Sequence, residues 1–402
     1  MLIRLIPRSG FVILAACAAV FLAGCTSPSR PAKSAEMLAA ERTAYLARTD
    51  AEWGQMVEAL VIRAHKEVED YNAGRTKVPP SIDLLVISGG GDWGAFGAGF
   101  LKGWGSVTGD LARPQFDAIS GVSTGALIAP FAFIGDEESY DSVLDLYQHP
   151  KKDWTSERGL VDFLFSGRSY MVIPGLERDI RASMNMDRVR KIAAAAREGR
   201  ACILGATNLD YGCRSLLLIS KQAIEAERTN DPSRVQDAML ASSAIPVAFP
   251  PREIDGNLYV DGGLTSNIFF SRGPNDPYSM TAVWKRKFPQ APLPPMRFWV
   301  IINNQTSGIP QVTQPTWSRM AGVSISTAIR VSTLLSLQLL HAQTIYGRDE
   351  GWDVQMRWIA IPDEWRAPVE GLFTEETMRD LGALGLKLGA DPNCWRTDTP
   401  KF

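Results

Sequence analysis

The chain has 402 residues, 45% hydrophobic and 21% charged, with a formal net charge of -2. That is the profile of an ordinary globular protein, long enough for one large α/β domain with additions or two medium ones. The near-neutral balance and the lack of a long basic run give no electrostatic basis for nucleic-acid binding, which is set aside.

The N-terminus differs from the rest. Arg4 and Arg8 precede an apolar stretch from Phe11 to Leu22, too short for a comfortable membrane span and built like a secretory signal. It ends in Leu22-Ala23-Gly24-Cys25, which resembles a bacterial lipobox, so Cys25 is the expected lipidation site. An ordinary signal peptide or an anchor helix is the alternative. Thr26 in place of Asp directs the expectation to the outer membrane, facing the periplasm, within the cell envelope. Acyl chains there would hold the protein at a bilayer by burial of methylenes at ~0.8 kcal/mol each. Of the five cysteines, Cys202, Cys213 and Cys394 remain. They allow one disulfide and a free thiol, or three reduced cysteines, and no Cys/His spacing suggests a metal site.

From Met37 to Asn72 the chain is charged, Ala-rich and free of proline, with apolar residues at helical intervals. This predicts one or two helices forming an N-terminal arm packed on the core. Val78-Pro79-Pro80 breaks it. Leu84 to Ile87 then reads as a buried strand running into glycines. Further strands are expected at Phe116 to Ser120, Cys202 to Ala206, Leu216 to Ile219, Leu258 to Val260, Phe298 to Ile302 and Trp358 to Ile361. Helices are expected at Ala126 to Ile134, Val189 to Arg197, Arg234 to Ser242, Arg319 to Tyr346 and Glu375 to Leu388. The alternation predicts a three-layer α/β domain with a mostly parallel sheet. The expected organisation is a signal peptide over 1–25, a tether and helical arm over 26–80, a catalytic domain over 81–305, and a helical and strand extension over 306–402 packed on the same domain.

Three motifs carry chemistry. Ser88-Gly89-Gly90-Gly91-Asp92-Trp93-Gly94 follows the first strand. Consecutive glycines turn sharply and present unobstructed N–H groups, suited to a phosphate or a developing oxyanion. The same loop fits a dinucleotide fold, for which Asp110 or Asp117 stands at a suitable distance, although Asp117 precedes its strand instead of closing it. Gly121-Val122-Ser123-Thr124-Gly125 lies between a strand and an apolar helix, the setting of a nucleophile elbow, with a helix N-terminus favouring negative charge at the serine. The serine needs a base. The histidines are His65, in the arm, His149, before Pro150, and His341, inside a Leu-rich helix. Only His341 fits the hydrolase order, so a base other than histidine is invited. Tyr259-Val260-Asp261-Gly262-Gly263 offers a carboxylate at a strand end, which a desolvated pocket would make basic enough; as a bare pattern it is also a good turn.

Taken in order, these three motifs resemble the patatin-like phospholipase family. Ala206-Thr207-Asn208-Leu209-Asp210, Ala241 to Pro246, Phe249-Pro250-Pro251 and Asn267 match as well, so the resemblance covers roughly Leu84 to Asn267. It implies a three-layer α/β/α patatin-like fold and a Ser123–Asp261 dyad. It further implies an oxyanion hole at Gly89, Gly90 and Gly91, and substrates among phospholipids, lysophospholipids or other acyl lipid esters. No metal, nucleotide or other cofactor is implied. Gly121 and Gly125 belong to the elbow, and Gly262 and Gly263 to the Asp-Gly-Gly motif. Two positions depart from the family pattern: Trp93 stands where many members carry a basic residue, and Ile268 where many carry proline. Trp93, Phe96, Phe100 and Trp104 fit either an acyl-chain site or one buried helix face. A non-catalytic lipid-anchored envelope protein, using the fold as a binding or scaffolding module, is the second reading.

Overall fold

The computed structural model describes residues 30–157, 169, 171–246, 248–269, 272–273 and 275–399. The expected signal peptide and Cys25 lie outside them.

Helix α1 (Ala35–Asn72) opens the fold as a single 38-residue helix. Ser34 caps it, its hydroxyl accepting from Met37 N–H at 3.2 Å, and Trp53, Val57, Val61, Ala64 and Val68 form its buried stripe. Strand β1 (Ile82–Ile87) leads through the glycine loop to α2 (Gly94–Trp104), and β2 (Ala118–Val122) leads through the elbow to α3 (Thr124–Ile134). Next come α4 (Glu137–Gln148), the short antiparallel pair β3 (Ser156–Glu157) and β4 (Met171–Val172), then α5 (Pro174–Ser183) and α6 (Met186–Arg197). Strands β5 (Ala201–Asn208) and β6 (Cys213–Leu218) precede α7 (Ile219–Thr229) and α8 (Ser233–Ser242), followed by β7 (Arg252–Ile254) and β8 (Asn257–Asp261). The chain finishes with α9 (Met280–Lys287), β9 (Met296–Ile302), α10 (Trp317–Asp349), β10 (Val354–Ala360) and α11 (Glu375–Gly389).

The main sheet has eight strands in the order β10-β9-β1-β2-β5-β8-β7, with β6 also paired to β5. Strands β10, β9, β1, β2 and β5 are parallel, whereas β6, β7 and β8 run antiparallel to their neighbours. Because side chains alternate across a pleated sheet, each central strand feeds two cores. Leu85, Ile87, Trp299 and Ile301 pack with α2, α3, α4, α6 and α8, while Leu84, Val86, Phe298 and Val300 pack with α1, α9 and α10. The result is the expected three-layer α/β/α architecture with a mostly parallel central sheet.

Helices α2 and α11 approach backbone to backbone. A Cβ on Gly99 would lie 2.1 Å from Gly382 O, and one on Gly103 would lie 2.1 Å from Leu386 O. In return, a Cβ on Gly385 would lie 2.1 Å from Phe96 O. This contact decides the aromatic stripe: Phe96, Phe100 and Trp104 are fully buried in the core, Trp104 among Phe116, Trp299 and Trp395. Trp93 stacks edge-on against Trp365. The stripe is a packing face, and none of the four lines the cavity at Ser123.

Several expected strand ends shift: β2 runs over Ala118–Val122 instead of Phe116 to Ser120, β6 starts at Cys213 instead of Leu216, and β10 starts at Val354 instead of Trp358. Ile219 opens α7 instead of closing β6. Asp117, considered for a nucleotide ribose, instead accepts from Asp83 N–H at 2.8 Å and pairs with Arg63 of α1. Cys202, Cys213 and Cys394 are all free thiols, so the disulfide alternative falls away. Burial pushes the thiol of Cys394 up to about 12 and raises those of Cys202 and Cys213.

Candidate active site

Strand register brings the second and third motifs together. Val122, the last residue of β2, pairs with Gly205 of β5, and Asp261, the last residue of β8, pairs with Ala206. Strand β6 occupies the other edge of β5 over residues 203–208, so β2 and β8 share one edge and meet head-on. Ser123 follows Val122 at that junction, and Asp261 faces it from the opposite direction. Gly262 makes this abutment feasible, since a Cβ there would lie 2.3 Å from Gly205 O.

Ser123 sits at φ 55°, ψ -123°, a strained conformation for a residue with a side chain, held by its surroundings. Its N–H donates to Ser242 Oγ at 3.1 Å, and the Ser242 hydroxyl donates to Gly205 O at 2.6 Å. A Cβ on Gly121 would lie 2.2 Å from Gly125 O, and one on Gly125 would lie 2.3 Å from Ile87 O, so the tight turn needs both glycines. Helix α3 starts at Thr124 and directs its N-terminal N–H groups and dipole toward the serine.

Asp261 is 2% exposed. Its Oδ1 accepts from Gly263 N–H at 2.7 Å, while Oδ2 is buried without a well-formed hydrogen bond. Burial raises its pKa to about 6, against the Ser123 hydroxyl and the Gly263 amide, which both favour the charged carboxylate. An aspartate so placed has the basicity to accept a proton near neutral pH.

The glycine loop lies beside the pair. A Cβ on Gly89 would come within 2.8 Å of Ser123 Cβ, so the loop reaches the serine only as glycine. The Gly89 N–H itself donates to Asn267 Oδ1 at 3.0 Å. It is therefore engaged in holding the loop. Gly91, at φ 62°, lines the cavity with Ser123. Asn303, at the end of β9, braces the loop by donating to Ser88 O and accepting from Gly97 N–H, both at 2.9 Å.

The cavity at Ser123 is lined chiefly by apolar side chains from several elements: Leu127 and Phe131 of α3, Leu146 of α4, Ile180 of α5 and Met239 of α8. Trp154, Phe249 and Phe373 close it, Phe373 lying over Phe249 and edge-on to Trp154. Phe373 comes from the loop before α11. It has φ 55°, and its N–H donates to Asp92 Oδ2 at 3.0 Å. Burial raises Asp92 to about 6, opposed by that hydrogen bond. The family stretches pointed to Ser242 and Asn267 without assigning them a role. Nothing in the sequence marked Asn303 or Phe373.

No histidine reaches the site. His65 stacks on Phe288 at 3.7 Å, and exposed His149 pairs with Asp145 at 2.9 Å. His341 lines a separate cavity with Asp353 and Gln355 at the start of β10, the sheet edge opposite Ser123. Among the described residues no group of three or more His, Cys, Asp or Glu side chains is arranged to hold a metal ion.

Residues 85–271 match the family described as patatin-like phospholipase. Among solved structures, the crystal structure of VipD from Legionella pneumophila is similar with a TM-score of 0.34 and 11% identity. The match covers 76% of this chain and 66% of that one, so the chain spans just under two thirds of its length. No curated protein matches.

Proposed function

We propose that this protein, which carries a patatin-like phospholipase domain over residues 85–271, is a lipid acyl hydrolase in which Ser123 attacks an acyl ester and Asp261 takes its proton. The observation that carries the reading is the head-on meeting of β2 and β8, which sets a strained serine against a buried carboxylate of pKa about 6.

In this mechanism the Ser123 hydroxyl gives its proton to Asp261 as Oγ bonds to the ester carbonyl carbon. Charge develops on the carbonyl oxygen, where the N–H groups of Gly90 and Gly91 and the α3 N-terminus stabilise it. The intermediate collapses by breaking the bond to the leaving alcohol, which receives the proton held by Asp261. Water then attacks the acyl-enzyme, losing a proton to Asp261, and the carboxylic acid leaves as Ser123 is re-protonated. The apolar cavity favours an acyl chain, with phospholipids, lysophospholipids or neutral lipid esters as the substrate class. Lipidation at Cys25 and an outer-membrane location facing the periplasm complete the proposal. They rest on the lipobox-like sequence.

The test is hydrolysis of p-nitrophenyl esters and mixed phospholipids by the protein beside Ser123→Ala, Asp261→Asn and His341→Ala. Loss in the first two with retention in the third is expected. Activity surviving in Asp261→Asn but lost in His341→Ala would overturn the dyad. No activity, with no labelling of Ser123 by a fluorophosphonate, would favour the non-catalytic binding module.

A further inference from the structure

Helix α10 is too long for its place in the sheet. Its 33 residues span ~50 Å at ~1.5 Å each, whereas its neighbour β9, with 7 residues, covers ~23 Å. The helix joins two parallel strands, β9 and β10, so it runs against them and starts at their C-terminal edge, where Ser123 lies. The surplus length therefore projects past that edge. From Arg319 to Ser332 no residue is buried; the first buried residue is Thr333.

This overhang is apolar. Met320 is 48% exposed, Val312 in the preceding loop 90%, and Leu335 and Leu339 further along are 54% and 56% exposed. By length and composition α10 could cross a membrane, yet only 22% of its most apolar stretch is buried, which is not the pattern of a core helix. Nor can it leave the fold to span a bilayer, because Leu337 and Leu340 belong to the core under the sheet, Leu334 is buried and Thr333 holds Asn267 at 2.7 Å. One face is committed to the protein and the other is left bare, which suits a helix lying in an interface.

Two observations identify what covers it. Between Asp276 and Asp349 the sequence has no Asp or Glu, while Arg319 and Arg330 lie on the overhang, so its charge complements an anionic surface. The chain also enters the fold at the same edge. Arg30 is held by both carboxylate oxygens of Asp210, at 2.6 and 2.9 Å, and by Gly256 O. Asp210 follows the C-terminal end of β5, and Gly256 is in the β7–β8 turn beyond it. Arg30, the first described residue, thus sits at the edge that bears the overhang.

We infer that the C-terminal edge of the sheet, led by the loop at Val312 and the exposed face of α10, docks on an anionic lipid bilayer and turns the Ser123 site toward it. The docking stands on its own geometry. Only its purpose rests on the hydrolase reading.

The experiment places an environment-sensitive fluorescent amino acid at Met320, Leu339 or Val78 in the full-length chain, reconstituted with phosphatidylethanolamine vesicles with or without phosphatidylglycerol. Val78 is exposed beside β1, at the opposite edge. The expected result is a blue shift, with quenching by brominated acyl chains, at 320 and 339 but not at 78. It should be at least about twofold larger with phosphatidylglycerol present. Adding Val312→Glu with Arg319→Glu should remove the shift at 339 without changing thermal unfolding. Water-like emission at 320 in vesicle-bound protein would overturn the inference, as would equal shifts in both lipid mixtures. So would a shift in solution that grows with protein concentration, which would mean a second copy covers the face. A Ser123→Ala background should leave the emission unchanged, so docking and hydrolysis can fail separately.

Discussion

Asn267 Oδ1 accepts the amide proton of Gly89 at 3.0 Å while its Nδ2 donates to Thr333 Oγ1 at 2.7 Å. One side chain thereby ties the glycine loop to α10. The carboxamide is a positioning group, not a reacting one. Asn267→Ala should lower kcat about 10- to 100-fold with little change in KM, because the loop loses its register against Ser123. Asn267→Asp should restore part of this, since it keeps an acceptor for Gly89. Steady-state kinetics on a soluble ester would decide it.

The raised pKa of Asp261 has opposite consequences for activity and for stability. As the proposed base it must be ionised, so kcat/KM should rise through about pH 6 and level off above. For folding, a carboxyl raised from 3.8 to about 6 binds more protons folded than unfolded between those values. Its contribution is therefore full below pH 3.8 and lost as pH rises through about 6, at a cost on the order of 3 kcal/mol. Asp261→Asn should abolish turnover yet increase resistance to urea at pH 7.5. Equal or lower stability of that variant would contradict the assigned pKa.

Ser242 holds the strained elbow through Ser123 N–H and Gly205 O. Ser242→Ala leaves that buried N–H without its partner. We expect a loss of about 1–3 kcal/mol in stability and about a tenfold drop in kcat, with fluorophosphonate labelling of Ser123 slowed to match. Unchanged labelling would show that the turn holds without the hydroxyl.

Filling the cavity should shorten the preferred acyl chain. Leu127 lies one turn along α3 from Ser123, and Met239 approaches from α8. Met239→Trp should raise KM for long-chain esters by about tenfold or more and leave butyrate esters unaffected. A uniform loss across chain lengths would place the acyl group elsewhere.

The glycine contact between α2 and α11 gives a stability test remote from the chemistry. Gly385→Ala forces a methyl against Phe96 O and should cost about 3 kcal/mol, read as a lower urea midpoint with an unchanged slope. Little change would mean that the helices can separate freely.

What was legible in the sequence is local. The strand before Gly89, the strand–turn–helix around Ser123 and the glycine turn after Asp261 each carry their signal within a few residues. The glycines and the apolar runs report backbone geometry directly. The antiparallel approach of β8 was not legible, since direction depends on which edge of β5 remains free. The aromatic stripe of α2 was ambiguous because helical spacing identifies a buried face without naming its neighbour. That neighbour, α11, is nearly three hundred residues away. The cavity walls and Phe373 were missed for the same reason, as they converge only when the layers close.

That closure also bears on the order in which the fold can form. Leu85 pairs with Trp299, so β1, the first strand made, acquires its second neighbour only when most of the chain exists. Pairings this remote in sequence pay their loop-closure entropy late and fold slowly. Until β9 arrives, one edge of β1 remains unpaired and the glycine loop lacks the brace that Asn303 supplies. The surroundings of Ser123 are therefore completed only late in folding, and a partly synthesised chain carries the three motifs without the contacts that bring them together.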